Sequence, residues 1–245
     1  MSGMHEPMIV AHRGEKILAP ENTVKAAHLA LSQGANALEV DVRICGSGEI
    51  VVMHDALLKR HFGINRPVAA TPLSELKALQ FDQASYRYQD RICSLDEFLE
   101  EFGGKVMINL DAKSLLPTCR RFSRQLADVI LRHGIGEKLW VSSFNPFVIR
   151  YIKSYRPEVR TGFLFQDPLH AYRFIDVFLD SDAWHPHFLN VTDWFVNEAR
   201  RKNKQLFAWT VNDAGVFHRM RHFRFDGIIS DVFFRKHPLH PEITG

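Results

Sequence analysis

Short apolar runs rich in Val, Ile and Phe alternate along the chain with segments of helical periodicity. The apolar runs predict eight β-strands, at residues 8–11, 37–42, 105–110, 139–142, 159–165, 183–190, 205–209 and 227–230. The segments between them predict seven helices, at residues 22–33, 95–102, 120–132, 146–155, 169–179, 193–203 and 214–222. Strands that alternate with helices are typical of a parallel sheet. Eight of them in 245 residues favour an α/β fold of the (β/α)8 TIM-barrel type, and the pattern alone leaves an open doubly wound sheet as the alternative.

One connection interrupts this alternation. It covers residues 56–93, far more than the roughly 2–6 residues of an ordinary strand-to-helix loop. Residues 73–79 within it have the composition of a short helix, and basic and aromatic side chains surround them. We expect a single domain over residues 1–245 with an insertion at about 56–93 after the second strand. This insertion either covers the substrate or is a solvated surface loop.

Composition and charge narrow the class of protein. Hydrophobic residues make up 46% of the chain and charged residues 24%, values typical of a globular protein. The net charge is +3, without a long block of like charge, so nucleic acid is only weakly favoured as a partner. No apolar run approaches the ~20 residues of a membrane-spanning helix, and the first residues lack the pattern of a signal peptide. We therefore expect a cytoplasmic protein whose cysteines, Cys45, Cys93 and Cys119, are reduced thiols.

Two of the predicted strands carry carboxylates on the face opposite their apolar side chains. Glu39 and Asp41 alternate with apolar residues in one strand, and Asp111 and Lys113 share one face of the next. Like charges that lie close together out of water destabilise a fold unless a cation or a proton separates them. Carboxylate ligands without cysteine suit a hard cation such as Mg²⁺ or Ca²⁺. The alternative is a polar barrel layer of internal ion pairs that uses Lys113 and Arg43.

Two histidines stand where apolar runs end. His12 and Arg13 follow the first predicted strand, and His54 follows the apolar run at residues 50–53. The carboxyl ends of barrel strands form the active-site face, so these side chains would lie near the acids. Paired imidazoles can exchange protons with an attacking and a leaving oxygen, and Arg13 can bind a phosphoryl oxygen. The alternative is that each histidine is a structural hydrogen-bonding group.

An ordered set of short motifs resembles those of the glycerophosphodiester phosphodiesterases. In chain order the motifs are His12-Arg13-Gly14, Pro20-Glu21-Asn22-Thr23, Glu39-Val40-Asp41-Val42, His54-Asp55, Asn109-Leu110-Asp111-Ala112-Lys113, Ser142-Ser143-Phe144, Trp209-Thr210-Val211-Asn212 and Asp226-Gly227-Ile228-Ile229-Ser230-Asp231. The resemblance covers residues 12–231, nearly the whole chain. It implies a (β/α)8 barrel with a small insertion after the second strand. It also implies hydrolysis of glycerophosphodiesters to glycerol 3-phosphate and an alcohol, with a divalent metal cation.

The resemblance further implies roles for eight individual residues. They are metal ligation by Glu39, Asp41 and Asp111, catalysis by His12, His54 and Arg13, and substrate binding by Arg13, Lys113 and Trp209. The family usually has Glu at the position of Asp111, and Asp is one methylene shorter. We expect Asp111 to remain a ligand, either directly or through one water. The Pro20-Glu21-Asn22-Thr23 motif has a local explanation, because Asn22 or Thr23 can cap the following helix.

Three other functions remain open at this point. A related barrel phospholipase with two histidines would act on lipid substrates. A phosphate- or nucleic-acid-binding protein without catalysis is suggested by residues 219–225, where basic and aromatic side chains interleave. A degenerate barrel could bind a phosphodiester without hydrolysing it. We expect a small-molecule glycerophosphodiester substrate, no nucleic acid and no stable membrane insertion, and the head group and oligomeric state stay open.

Overall fold

The protein is described from a computed structural model, which covers residues 6–114, 117–166 and 172–233. Within these residues, eight parallel strands close into a barrel, and they are β1 (Met8–His12), β2 (Ala37–Ile44), β4 (Met107–Ala112), β5 (Leu139–Ser143), β6 (Arg160–Phe165), β7 (Ala183–Pro186), β8 (Gln205–Ala208) and β9 (Gly227–Ser230). The barrel is closed because β1 pairs with β2 on one side and with β9 on the other. The predicted barrel is therefore confirmed, and an open doubly wound sheet is excluded.

The register of the strands brings the predicted acids to one level. Asp41 of β2 lies opposite Asp111 of β4, and His12 of β1 lies opposite Glu39 of β2. Leu38 and Val40 point to the other side, where they are fully buried in the apolar layer between the strands and the helices. The alternation along β2 thus separates a structural face from a polar face.

The helices are α1 (Val24–Ser32), α2 (Lys59–Phe62), α3 (Leu73–Ala78), α4 (Leu95–Phe102), α5 (Cys119–His133), α6 (Pro146–Tyr155), α7 (Tyr172–Leu179), α8 (Asp193–Arg201) and α9 (Ala214–His222). Their starts follow from local sequence. Ser94 begins α4 through a capping box with Glu97, and side chains of Thr23 and Asp213 cap α1 and α9. Residues 169–171 of the helix predicted at 169–179 lie outside the described residues, as do the N-terminal five. None of the described helices combines the length and the apolar character that crossing a bilayer requires.

Several predicted boundaries are wrong. The strand predicted at 183–190 ends at Pro186, and a 3₁₀ turn, Phe188–Asn190, follows because the side chain of His187 accepts a hydrogen bond from the Leu189 N–H. The strand predicted at 105–110 begins at Met107 and extends to Ala112. The first helix begins at Val24 rather than at residue 22, because Asn22 has a left-handed backbone with φ of 61°. These errors move the ends of elements and leave the barrel unchanged.

The apolar run at residues 50–53 is not a strand of the barrel. Residues Ile50–Val52 form β3, which pairs antiparallel with the end of β2 outside the barrel. This β2–β3 hairpin carries His54 back to the mouth of the barrel.

The insertion that follows shares a small apolar core with residues 45–53. The predicted helix at 73–79 is confirmed as α3, and the buried residues around it are Cys45, Val51, Met53, Leu58, Val68, Leu76, Phe81 and Ile92.

The interior of the barrel contains a buried histidine. The His185 side chain on β7 is 1% exposed, and neither ring nitrogen has a hydrogen-bond partner among the described residues. Its ring packs against Phe207, with 4.8 Å between ring centroids. A Cβ on Gly162 would lie 2.3 Å from Nε2 of His185, so the neighbouring strand needs glycine at that position. Burial lowers the pKa of His185 to about 3.

We predict that His185 makes the fold sensitive to acid. Because its pKa is lower in the folded protein than the usual value of about 6.5, its contribution to stability is present above pH 6.5 and is lost as the pH falls towards 3. Between pH 7 and pH 4 this group should remove about 3 kcal/mol from the free energy of unfolding. In the variant His185→Leu, the free energy of unfolding measured by urea denaturation should depend correspondingly less on pH than in the wild type. The control His222→Leu, at an exposed histidine, should keep the wild-type dependence, and an equally steep dependence in His185→Leu would refute the prediction.

Candidate active site

A cavity opens at the carboxyl ends of the barrel strands and encloses about 260 Å³. Seven of the eight predicted site residues line it, and they are His12, Arg13, Glu39, His54, Asp111, Lys113 and Trp209. The eighth, Asp41, is 1% exposed and does not line the cavity, but it contacts the lining residues Arg13 and Lys113. The structure therefore brings all eight predicted residues together.

Glu39, Asp41 and Asp111 form a buried cluster of carboxylates. Each offers one oxygen, and these oxygens lie within 4.8 Å of one another. Oδ1 of Asp111 is buried without a hydrogen-bond partner among the described residues. An oxygen-only donor set with an unsatisfied buried oxygen fits a hard divalent cation. The donor set thus agrees with the predicted metal class.

The electrostatics of the cluster point the same way. Burial and the nearby Asp41 raise the pKa of Asp111 to about 6, although the charge of Lys113 opposes this shift. Burial together with both neighbouring carboxylates raises the pKa of Glu39 well above its usual value. Asp41 differs: burial opposes its ionisation, but Lys113 and Arg13 hold its pKa below the usual value. Without a cation, burial and mutual repulsion thus favour the protonated forms of Glu39 and Asp111.

Asp41 is held by a network that starts in the loop after β1. Its Oδ2 lies 3.0 Å from Nε of Arg13 and accepts a hydrogen bond of 2.9 Å from Nδ2 of Asn22. The Asp41 N–H donates in return to Oδ1 of Asn22. Gly14 turns the loop with φ of 78°, and a Cβ there would lie 2.6 Å from the backbone of Ala26. Asn22 is therefore a site residue that the sequence analysis treated only as a possible helix cap.

The cationic side chains of the cavity are already paired with acids. Lys113 contacts Asp111 and lies 3.2 Å from Asp41, while Arg13 also lies 3.3 Å from Glu21. The alternative of internal ion pairs is thus realised for Lys113. Among the described residues it is not realised for Arg43, whose Nε donates to the backbone oxygen of His54 at 2.6 Å.

Each cavity histidine is oriented by a carboxylate. Nδ1 of His12 lies 2.7 Å from Asp231, and Nδ1 of His54 lies 2.8 Å from Asp55. A carboxylate can only accept, so Nδ1 is the donor and Nε2 is left for a substrate. Burial opposes the ionisation of Asp231, but the hydrogen bond from His12 holds the pKa of Asp231 well below its usual range. Burial lowers the pKa of His54.

The sequence analysis assigned no role to these two acids. A signal was present for Asp231, because it directly follows a predicted strand, as His12 does. Asp55 follows His54 immediately in the chain and belongs to the same motif.

Arg60 links the insertion to the cavity. It lies on α2 and binds both Asp55, the partner of His54, and Glu21, the partner of Arg13. Hydrogen bonds from His61 and Arg60 hold the pKa of Glu21 well below its usual range despite burial. The insertion therefore contributes to the positioning of site residues, which its sequence did not indicate.

Aromatic side chains form one wall of the cavity. Trp209 directly follows β8, and its Nε1–H donates to the backbone oxygen of His185 at 2.8 Å. Its ring meets Phe144 edge to face at 5.2 Å, and Nζ of Lys113 lies 5.6 Å from the centre of the Phe144 ring.

The basic and aromatic segment at residues 219–225 has a structural role. Met220 and Phe225 are fully buried, so they cannot stack on bases. Arg219 donates to the backbone oxygen of Phe188, and Arg221 pairs with Glu6. Four of the side chains that suggested nucleic-acid binding are thus engaged within the fold, while His222 and Arg224 are exposed.

Comparison with known proteins agrees with this geometry. The model of the Glycerophosphoryl diester phosphodiesterase family matches residues 12–233. A glycerophosphodiester phosphodiesterase of Caldanaerobacter subterraneus subsp. tengcongensis is 29% identical over 230 residues, which cover 91% of this chain and 93% of the relative.

Two solved structures are similar over nearly their whole length. A phosphodiesterase of Oleispira antarctica, in complex with the product sn-glycerol-3-phosphate, has a TM-score of 0.82 and 28% identity, covering 92% of this chain and 93% of that one. A glycerophosphodiester phosphodiesterase of Thermotoga maritima has a TM-score of 0.75 and 26% identity, covering 93% and 95%. The chain described here belongs to the glycerophosphoryl diester phosphodiesterase family.

Proposed function

We propose that the protein hydrolyses glycerophosphodiesters to glycerol 3-phosphate and an alcohol, and that it does so with a divalent cation and two histidines. Its class, glycerophosphodiester phosphodiesterase, follows from family membership. The observation that carries the rest is the buried cluster of Glu39, Asp41 and Asp111, which shares one cavity with two carboxylate-oriented histidines. We further propose that the protein works in the cytoplasm as a single domain.

Glu39, Asp41 and Asp111 would hold the cation. A divalent ion bound there would supply positive charge beside the phosphoryl oxygens. All-oxygen ligands suit Mg²⁺ and Ca²⁺ alike. Arg13 and Lys113 bring two further positive charges to the same cavity, where they would bind the phosphate.

His12 and His54 would transfer the protons. One Nε2 takes the proton of the attacking hydroxyl, which belongs to water or to the glycerol of the substrate, and the other donates a proton to the departing alkoxide. Asp231 and Asp55 keep the proton on Nδ1 of each ring, so that both Nε2 atoms serve this exchange. Trp209 and Leu164 offer an apolar wall to the carbon atoms of the glycerol.

The direct test measures glycerol 3-phosphate released from glycerophosphocholine, glycerophosphoethanolamine and glycerophosphoglycerol. We expect turnover with Mg²⁺ or Ca²⁺ and none after chelation, with an unchanged circular dichroism spectrum. Full activity in protein shown to be metal-free by elemental analysis would refute the metal requirement. No product from any substrate at any metal concentration would refute the proposed function.

Asp111 gives a specific prediction for the third ligand. Asp111→Asn should weaken the affinity for Mg²⁺ or Ca²⁺ by about 10-fold or more, because it removes one of three anionic ligands. Asp111→Glu should keep an affinity close to wild type, since it restores the usual family residue. Calorimetric titration of metal into the apo-proteins measures both. An unchanged affinity in Asp111→Asn would remove Asp111 from the site.

A further inference from the structure

A second cavity lies directly beside the catalytic one. It encloses about 730 Å³ between residues 112–114, residues 144–147, Arg43 and Ala56 of the insertion. We call it the side groove. Lys113 and the Phe144 ring line both cavities, so a molecule bound at the catalytic cavity can extend into the side groove without leaving the protein surface.

We propose that the side groove binds the alcohol portion of the substrate, and that this alcohol carries an apolar chain. The inference rests on the proposed function and specifies its substrate class.

In the reaction, an oxygen of water or of the substrate's glycerol forms the new bond to phosphorus. The bond from phosphorus to the alkyl oxygen breaks, and the alkoxide takes a proton to leave as an alkanol. An attack by the glycerol oxygen is followed by hydrolysis of the cyclic phosphate, so that both routes end in glycerol 3-phosphate.

The polar groups of the side groove are largely occupied. Nε of Arg43 donates to the His54 backbone oxygen. Nδ2 of Asn145 donates to the Ser114 backbone oxygen at 2.9 Å, and its Oδ1 accepts from the Phe147 N–H at 3.0 Å. These engaged groups would not replace the hydrogen bonds that a hydroxylated head group had in water.

The charge of the groove also disfavours the common cationic head groups. Its lining residues within the described part of the chain include Arg43 and Lys113 and no carboxylate. An ammonium group, as in choline or ethanolamine, would meet the positive charge of Arg43 with no carboxylate among these lining residues to offset it. An uncharged chain has no such penalty.

Two aromatic side chains give the groove its apolar surface. Phe144 is 44% exposed and Phe147 is 47% exposed, so both apolar rings present a large surface to solvent. Such exposed aromatic surface next to a catalytic cavity indicates a binding site, because an apolar ligand that covers it gains free energy in proportion to the area buried. An alkyl or aryl chain placed against these two rings would cover them.

The test is a series of sn-glycerol 3-phosphate methyl, butyl and hexyl diesters, each used below the concentration at which it aggregates. A fully buried methylene is worth about 4-fold in binding, and a half-open groove should give about 2-fold. We expect kcat/KM to rise about 30-fold from methyl to hexyl, with glycerophosphocholine close to the methyl ester. Release of glycerol 3-phosphate is the readout.

Variants tie the chain-length effect to the groove. Phe147→Ser should reduce the hexyl-to-methyl ratio to about 5-fold, and Phe147→Leu should restore most of it. The matched control is Phe178→Ser on α7, whose side chain is 74% exposed and lies outside both cavities. It should keep the wild-type ratio.

The outcomes separate the two proposals. Turnover of the methyl ester with a flat chain-length series would overturn the apolar-alcohol inference and leave the proposed function standing. A steep series that Phe147→Ser does not change would show that the chain binds elsewhere, which also overturns the inference. Absence of turnover for every diester would overturn the proposed function itself.

Discussion

Replacement of His12 or His54 by alanine should lower kcat by at least about 100-fold, with little change in the melting temperature. The reason is that each imidazole presents Nε2 to the cavity while a carboxylate holds Nδ1. Both side chains are partly exposed at the barrel mouth, with 19% and 33% of the side chain accessible, so their removal leaves no core cavity. Steady-state kinetics with saturating metal measure the loss. His28→Ala, at an exposed histidine on α1, should keep the wild-type rate.

A change of leaving group distinguishes the acid from the base. With a p-nitrophenyl ester, whose phenolate leaves without protonation, the variant that lacks the general acid should recover most of its rate. The variant that lacks the base should remain slow on both substrates. If either alanine variant kept a near-normal kcat with good and poor leaving groups alike, that histidine would be structural.

Glu39→Gln and Asp41→Asn should both remove metal-dependent turnover, by about 100-fold or more, yet differ in the stability of the metal-free protein. Asp41 is the buried counter-ion of Arg13 and Lys113. Its loss leaves two buried cations without their shared partner and should lower the free energy of unfolding by about 3 kcal/mol.

The pKa of Glu39 shifts in the opposite direction to that of Asp41. Burial and the neighbouring acids raise its pKa well above the usual value, which in the metal-free protein favours the neutral form that Gln imitates. Glu39→Gln should therefore change the unfolding free energy by less than about 1 kcal/mol. Urea denaturation in the presence of a chelator measures both variants. Equal destabilisation by the two substitutions would contradict this account of the charge distribution.

The same measurements provide a check on metal binding. Mg²⁺ or Ca²⁺ should raise the melting temperature of the wild type, because a ligand that binds only the folded state stabilises it. Neither variant should respond at metal concentrations that saturate the wild type.

Sequence analysis was most successful where the direction of a side chain follows from the repeating pattern of its neighbours in the chain. The two-residue alternation in β2 and β4 predicted that Glu39, Asp41 and Asp111 share one face, and the structure places them in one cluster. The motif resemblance predicted the barrel and the position of the insertion. The roles of the individual site residues, the extent of the domain and the placement of the insertion over the substrate remain predictions.

Sequence analysis was least successful where a position depends on a partner far along the chain. Asp231 reaches His12 across 219 positions because β9 closes the barrel against β1. Arg60 reaches Glu21 across 39 positions because the insertion folds over the first loop.

By itself, the sequence determined the alternation of strands and helices, the inward direction of the acids and the oxygen-only donor set, since these depend on neighbouring residues and side-chain chemistry. Only the tertiary structure decided that β3 runs antiparallel and returns His54 to the mouth. It also decided which carboxylate orients each histidine, and that an apolar groove continues from the catalytic cavity past Phe144. These features arise from barrel closure and loop packing, in which residues meet through register and burial rather than through any period along the chain.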